Sequence, residues 1–537
     1  MWQQHYLPIG DSLGLSALAA AIPIIVLLVL IGVLRKPAWL AALAGLGTAA
    51  VIAIGVYDMP VRLAVSSTAL GATFGLFPIC WIVFWAVVLY RLTLETGNFE
   101  IIKDSIGGLT TDRRLQALLI AFAFGAFIEG AAGFGTPVAV AAAMLAGLGF
   151  SPFFAAGICL LANTAPVAFG SIGIPIVTLA IITGLPEAEL SAWAGRLCAP
   201  VSVFIPAYLI LVMGGWRGLK GVLPAAAVCG ISFASVQFLI SNFIGPQLVD
   251  IIAAMTAMLG LVVLFKYWQP QDSFVMQGET RTTAVQIKSH GTGRTLLAWS
   301  PYLFLVFFVL VWGYPRSAAV LNAVSLPIAW PGLHNQIERM PPIVAAAAPY
   351  TAVFNFNWLS ASGTACALAT IATALVLRVS VRMYLGILVK VARQLSFSIL
   401  TIACVLGLAF LMNYSGATVT LGLAFAATGV LFPFFSALLG WLGVFLTGSD
   451  TSSNTLFGNL QVVAATRLGF EPAILAAANS AGGVMGKMIS LQNIAVAVAA
   501  TGMARAEEGK LFRFTCKHSL FLACVLGGIT SIYAYLY

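Results

Sequence analysis

The sequence predicts an all-α polytopic membrane protein with about 12 transmembrane helices plus two re-entrant hairpins. Three observations carry this prediction. Of 537 residues, 61% are hydrophobic and only 8% are charged, whereas a water-soluble domain carries about 25% charged residues. The apolar residues fall into runs long enough to cross a bilayer, which takes about 20 residues of helix. Two of these runs are interrupted midway by Gly-rich or Ser/Asn-rich tips. Such backbone is a poor helix, tolerated at membrane depth only where protein covers it or it lines a cavity.

In chain order, spans are expected near residues 14–34, 38–56, 64–90, 152–183, 197–216, 221–241, 245–265, 299–314, 359–377, 396–413, 472–500 and 515–535. No basic residue precedes the first span, and Arg35 and Lys36 follow it. That is a stop-transfer pattern, not a cleaved leader. Residues 115–148 and 433–468 read as the hairpins. Residues 98–109 and 417–429 read as interfacial helices, and the Pro-rich stretch 314–349 as an outside loop, with a lid as its one assignable role.

Basic residues orient the chain. With the N-terminus outside, Arg62, Arg196, Arg316, Arg339 and Arg467 fall outside and Lys487 lies within an apolar span. The other 20 of the 26 Lys/Arg fall inside, in clusters at 35–36, 91–114, 217–220, 266–294, 378–393 and 505–517. This bias is the positive-inside rule, and it places both termini outside. The net charge of +9 therefore reports topology, not nucleic-acid binding.

The chain also repeats itself. Leu148-Gly149-Phe150-Ser151-Pro152 is echoed about 320 residues later by Leu468-Gly469-Phe470-Glu471-Pro472. Upstream, FIEG at 127–130 pairs with FLTG at 445–448, and Thr96-Gly97 with Ser415-Gly416. In the topology above the first hairpin enters from inside and the second from outside. The reading is a first repeat over 1–220, a linker over 221–298 and an inverted second repeat over 299–537, an organisation common in secondary transporters.

Of the 43 charged residues, only Glu129, Asp450 and Lys487 are placed deep in apolar stretches. Intramembrane charges are costly and mark function by default. All three fall in the hairpin tips or in helices with a polar break. Thr136-Pro137 reads as an N-cap followed by Pro at N1. Ser452, Ser453, Asn454 and Thr455 supply matching caps, and Asn163-Thr164 and Asn479-Ser480 read as the breaks. Half-helix N-termini offer free N–H groups and positive dipole ends to an anion, and Lys487 adds a full positive charge. The candidate anion-binding residues are therefore Gly133, Thr136, Asn163, Thr164, Ser452, Ser453, Asn454, Asn479, Ser480, Lys487 and Gln492. For the Ser and Asn groups, interhelical hydrogen bonding is the alternative. Asp450 and Glu129 read as proton-coupling groups, with sodium coordination the competing assignment. Eight Cys without a CxxC pair and four scattered His give no metal-ligand spacing, and no nucleotide-binding or hydrolase motif occurs. No cofactor, metal or enzymatic activity is expected, and the driving force falls to an ion gradient or to the solute itself.

Several segments carry a resemblance. They are FIEGAAGFGTP (127–137), NTAPVAFG (163–170), SNFIGP (241–246), WLGVFLTGSDTSSN (441–454), GGVMGKMIS (482–490) and LFRFTCKHS (511–519). With them the chain resembles the bacterial L-lactate permease family along essentially its whole length. The resemblance implies proton-coupled import of L-lactate, D-lactate or glycolate across the bacterial inner membrane. A wider similarity to the ion-transporter superfamily rests on Ser453-Asn454-Thr455. It implies an elevator-type motion and often a homodimer, with a sodium-coupled dicarboxylate carrier as the alternative function. Lys487 as the single deep cation favours a monocarboxylate. The chain departs from the family pattern at Leu491, where Pro is expected. It departs again at Asn355 and Asn357, where Lys and Asp are expected, and at 345–347, where an acid is.

Overall fold

The computed structural model describes residues 1–133, 135–272, 274, 290–344, 346–504 and 507–537. Phe134 of the predicted first tip, Ala345, and Arg281, Lys288 and Arg505 of the predicted basic clusters lie outside the described residues. Among the described residues, eleven helices are long and apolar enough to cross a membrane, or twelve when the bent pair Pro152–Ala162 and Val167–Thr183 counts as one. Leu18, Val51, Phe204 and Phe397 are exposed on outer helices, as suits a surface bathed in hydrocarbon. The centre is occupied by Arg113–Ala131, whose best apolar window is wholly buried.

Glu187–Phe243 is one run of 57 residues that leaves helical geometry at Gly215 (φ 60°, ψ −165°) and Val222 (φ −129°, ψ 19°). Straight, it would reach about 86 Å at ~1.5 Å per residue. Instead it folds back, and the Ser191 hydroxyl donates to the Ser241 carbonyl at 2.8 Å. Its two legs are the predicted spans 197–216 and 221–241.

The first hairpin pairs Arg113–Ala131 with Thr136–Gly147. Its two feet meet, since the Arg113 guanidinium donates to the Leu148 carbonyl. The second pairs Gly429–Thr447 with Asp450–Leu468. The helix Glu508–Leu536 shows how the hairpins are related. Phe153, beyond the first hairpin's foot, packs on its Phe514 at 5.5 Å between ring centroids. Phe470, beyond the second hairpin's foot, packs on its Tyr535 at 5.4 Å. Positions 514 and 535 are about 31 Å apart along a helix, so the hairpins approach from opposite faces.

Gly440, Gly482 and Gly486 let the outer arm of the second hairpin lie directly on Pro472–Lys487. A Cβ at these glycines would stand 1.8, 2.0 and 2.3 Å from the carbonyl oxygens of Asn479, Ala437 and Trp441. Small residues permit this backbone-to-backbone approach in membranes.

Two expectations need correction. The first broken helix breaks at Asn163, as predicted, with a 65° bend across Pro152–Ala162 and Val167–Thr183. The second does not break at Asn479. Pro472–Lys487 is continuous, and the break falls at 488–490 before Leu491–Thr501. Asn479 and Ser480 bond to the neighbouring helix Asp450–Leu468 rather than to their own backbone, and Gly482 serves close packing, so none of the three interrupts the helix. The second correction is that the fold is not purely helical. The stretch expected as a loop holds the helix Pro315–Asn322 and strands in two small sheets. Leu326–Ala329 pairs antiparallel with Val353–Phe356, and Ile337–Arg339 lies between Trp2–Gln3 and Ala348–Pro349. Below them the buried Gln4 amide donates to the carbonyls of Asn413 and Tyr414, each at 2.9 Å.

Candidate functional site

The two hairpin tips and the two breaks gather at the centre of the molecule, and each side chain is held there by its helix. Glu129 sits in the last turn of the first arm and Lys487 ends Pro472–Lys487. Lys487 Nζ donates to Glu129 Oε1 at 2.7 Å, and both side chains are more than nine-tenths buried. Asn163, at the first break, donates from Nδ2 to Glu129 Oε2 at 3.1 Å, while its Oδ1 is buried without a partner. Gly170, where the chain resumes after that break, is as close: a Cβ there would stand 2.5 Å from Glu129 Oε1. One ion pair thus joins the first hairpin, the first break and the second break.

The second break lies between the tips. Ser490 caps Leu491–Thr501 by accepting from the Asn493 backbone N–H at 3.3 Å, and Asn493 Nδ2 donates to the Lys487 carbonyl at 3.2 Å. A Cβ at Gly448, in the second tip, would stand 2.8 Å from Gln492 Oε1. One at Gly135, in the first tip, would stand 3.5 Å from Asn493 Oδ1. Helix N-termini at Thr136, Asp450 and Leu491 are therefore clustered around Lys487 and Glu129, while after the first break Ser171, Ile172 and Gly173 are left-handed (φ 49°, 61° and 74°) and the right-handed helix begins at Ile174. Aligned peptide dipoles and unpaired N–H groups make each such end a favourable place for an anion. The two that were expected at Asn163 and Asn479 fall instead at Ile174, beyond the left-handed turn, and at Leu491.

The remaining predicted residues divide. Gly133 takes φ +56°, and a Cβ there would stand 1.9 Å from Ser171 Oγ, so the first tip closes on a position only Gly fills. Thr136 is not an N-cap. Gly135 holds that place in the left-handed region, and the Thr136 hydroxyl donates to the Gly133 carbonyl at 2.7 Å. Ser449, not Ser452 to Thr455, caps the second arm, accepting from the Ser452 N–H at 3.2 Å. Thr164 turns back onto the Leu161 carbonyl at 2.8 Å. Ser453 ties the second hairpin's arms together through the Gly440 carbonyl at 3.2 Å. Asn454 is held by the Pro175 carbonyl and by Asn479, which donates to Asn454 Oδ1 at 2.9 Å and accepts from Gln461 at 3.2 Å. These three residues do the work of interhelical hydrogen bonding. Ser480 donates to Asp450 Oδ2 at 2.6 Å, leaving Asp450 Oδ1 buried and unpartnered. Gln492 is exposed at the second tip.

A family profile described as L-lactate permease matches residues 16–537. The chain belongs to the L-lactate permease family. It is 47% identical over 555 residues to an L-lactate permease of Bacillus subtilis, covering 98% of each chain. To the glycolate permease GlcA of Escherichia coli it is 46% identical, covering 100% of this chain and 98% of that one. An Escherichia coli L-lactate permease is 44% identical with the same coverage. This member of the family is a multi-pass membrane protein.

Two buried charges escaped the sequence reading. Asp250 opens Val249–Tyr267 and is 1% exposed. Its place at the edge of an apolar run resembled an interfacial position, although SNFIGP just before it was among the motifs noted. Arg114, at the end of the 91–114 basic cluster expected on the inside, is fully buried. Its guanidinium donates to Asp112 at 2.7 Å, Asp272 at 2.8 Å and the Gly218 carbonyl at 3.2 Å. Three acceptors satisfy it structurally, at the foot of the first hairpin. Ser490 and Asn493 were missed because the break was placed at Asn479. The dipeptide Lys487-Met488, ending the Gly-rich run, was the available signal.

Proposed function

We propose that this protein imports L-lactate, and with it D-lactate or glycolate, together with protons across the bacterial inner membrane. The Lys487–Glu129 pair carries the reading. A cation at a junction of helix N-termini suits a carboxylate, and its resting partner is a carboxylate of the same chain. The substrate carboxylate takes the place of Glu129 at Lys487 and at the N-terminus of Leu491–Thr501. The orphaned Asn163 Oδ1 accepts from the 2-hydroxyl. Glu129, displaced and dry, takes up a proton. One anion and one proton then cross together with no net charge moved. The names of the family's relatives support the substrate class, and Lys487, the one cation at the tips among the described residues, favours a monocarboxylate over a dicarboxylate.

The opposed hairpins support an inverted repeat of 1–220 and 299–537 about the linker 221–298, with both termini outside. We place the hairpins and broken helices in a unit that slides as an elevator against a scaffold of the outer helices, in a homodimer. The test is counterflow of labelled lactate, glycolate and succinate in proteoliposomes at varied pH and sodium. Lactate and glycolate should exchange, succinate should not, and lactate should carry protons inward without sodium. Sodium-dependent succinate exchange would replace this reading with a dicarboxylate carrier.

A further inference from the structure

Asp250 has no use in the mechanism above, yet among the described residues it is the one carboxylate with both oxygens buried and unpartnered. It is 1% exposed, and neither carboxylate oxygen has a hydrogen-bond partner. Its helix packs on both segments of the first arm, on the helix after the first break, and on Glu187–Phe243. A Cβ at Gly130 would stand 2.7 Å from Asp250 Cβ, which sets Asp250 against the residue next to Glu129. The titratable groups that act on it electrostatically are Glu129, which repels its charge, and Lys487, which attracts it; the Cys198 thiol feels both Asp250 and Asp450. An ionised carboxylate without a donor is the costliest state such a site can hold. Among the described residues no group of three or more His, Cys, Asp and Glu could hold a metal ion, and a hard cation asks for about six oxygens. A proton satisfies this carboxylate without any further ligand from the protein.

We propose that Asp250 is a proton-coupling residue, contributed by the segment between the two hairpin halves, whose carboxyl exchanges its proton with Glu129 as Lys487 changes partner. This inference rests on the transport reading given above. At rest, Lys487 pairs with Glu129 and Asp250 is neutral. When substrate claims Lys487, the Asp250 proton passes to Glu129, and a proton from the outer solution restores Asp250. On release inside, Lys487 recovers Glu129, whose proton leaves to the cytoplasm. One proton enters and one leaves for each anion.

The test compares wild type, Asp250→Asn and Asp250→Glu in proteoliposomes, scored for lactate counterflow and for accumulation driven by a pH gradient. Asp250→Asn should keep counterflow within about threefold, lose accumulation about tenfold or more, and show a flat pH profile. Asp250→Glu should accumulate with a displaced profile. Wild-type accumulation and profile in Asp250→Asn overturn the proposal. So does a monodisperse Asp250→Asn protein without counterflow, because Asp250 then serves the anion step. Should Asn not yield folded protein, Asp250→Glu carries the test alone, and an unchanged pH profile overturns the assignment. Absence of lactate and glycolate counterflow in wild type overturns the transport reading itself, and this proposal with it.

Discussion

At the residue scale, the Lys487–Glu129 pair is costly to break from one side. Removing one member of a buried pair leaves an uncompensated charge, at about 3–5 kcal/mol. Lys487→Ala should therefore abolish uptake and lower the thermal unfolding midpoint in detergent. The double variant Lys487→Met with Glu129→Gln should recover most of that stability and none of the uptake. Asn163 permits a sharper chemical test. If its free Oδ1 accepts from the substrate hydroxyl, Asn163→Ala loses roughly one neutral hydrogen bond, worth about 1 kcal/mol. The KM for lactate should rise about fivefold, while inhibition by propionate, which lacks the hydroxyl, should not change. Equal losses for both acids would remove Asn163 from hydroxyl recognition. The three charges at the centre were legible because a charge in an apolar run needs a reason. Asp250 was not, because a carboxylate at the end of a run looks the same whether the helix starts at the membrane surface or at the centre of the protein.

At the element scale, the second break is where sequence reasoning slipped. Asn, Ser and Gly in succession suggest an interrupted helix, but each of those types also has a use in an intact one. Asn479 bonds two residues of the neighbouring helix Asp450–Leu468, and Gly482 admits a backbone oxygen. The true break is capped by Ser490 at φ −63° and ψ 135°, an extended conformation that a following proline accepts. Leu491 is the first helical residue after it, where proline is favoured. Leu491→Pro should thus keep transport and raise stability by about 0.4–1 kcal/mol, read as a higher unfolding midpoint. Ser490→Ala should cost about 1 kcal/mol through the lost cap. The hairpins themselves were legible, since Gly-rich and Ser-rich tips leave few alternatives at membrane depth. Which residue caps each arm was not, because Thr136, Ser449 and Ser452 are all competent by type. The family departures at Asn355 and Asn357 sit in or beside the strand Val353–Phe356, in the small sheets rather than at the hairpin tips.

At the scale of the whole molecule, the first hairpin is fastened at its foot by Arg114, which joins Asp112, Gly218 and Asp272. Its hydrogen bonds hold the Asp272 carboxyl below the usual carboxylate range. A depressed folded-state value stabilises the protein above the unfolded value, near about 3.9, and that contribution fades as pH falls through the folded one. Asp272→Asn should lower the unfolding midpoint at neutral pH and flatten its acid dependence, read by thermal unfolding across acidic buffers. The overall plan of spans was readable because hydrophobic length and basic-residue bias act over whole segments. The small sheets were not, since strands of two to four residues carry almost no periodicity.

The glycine contacts along the second hairpin bear on how such a protein changes under selection. At Gly440, Gly482 and Gly486 even a methyl group meets a backbone oxygen, and backbone cannot rotate aside as a side chain can. A mutational scan should find these sites intolerant to every substitution, and a library that includes them wastes its members there. New substrate ranges are more accessible through the rim, at positions such as Gln492, whose side chain is free to vary while the helices behind it keep their spacing.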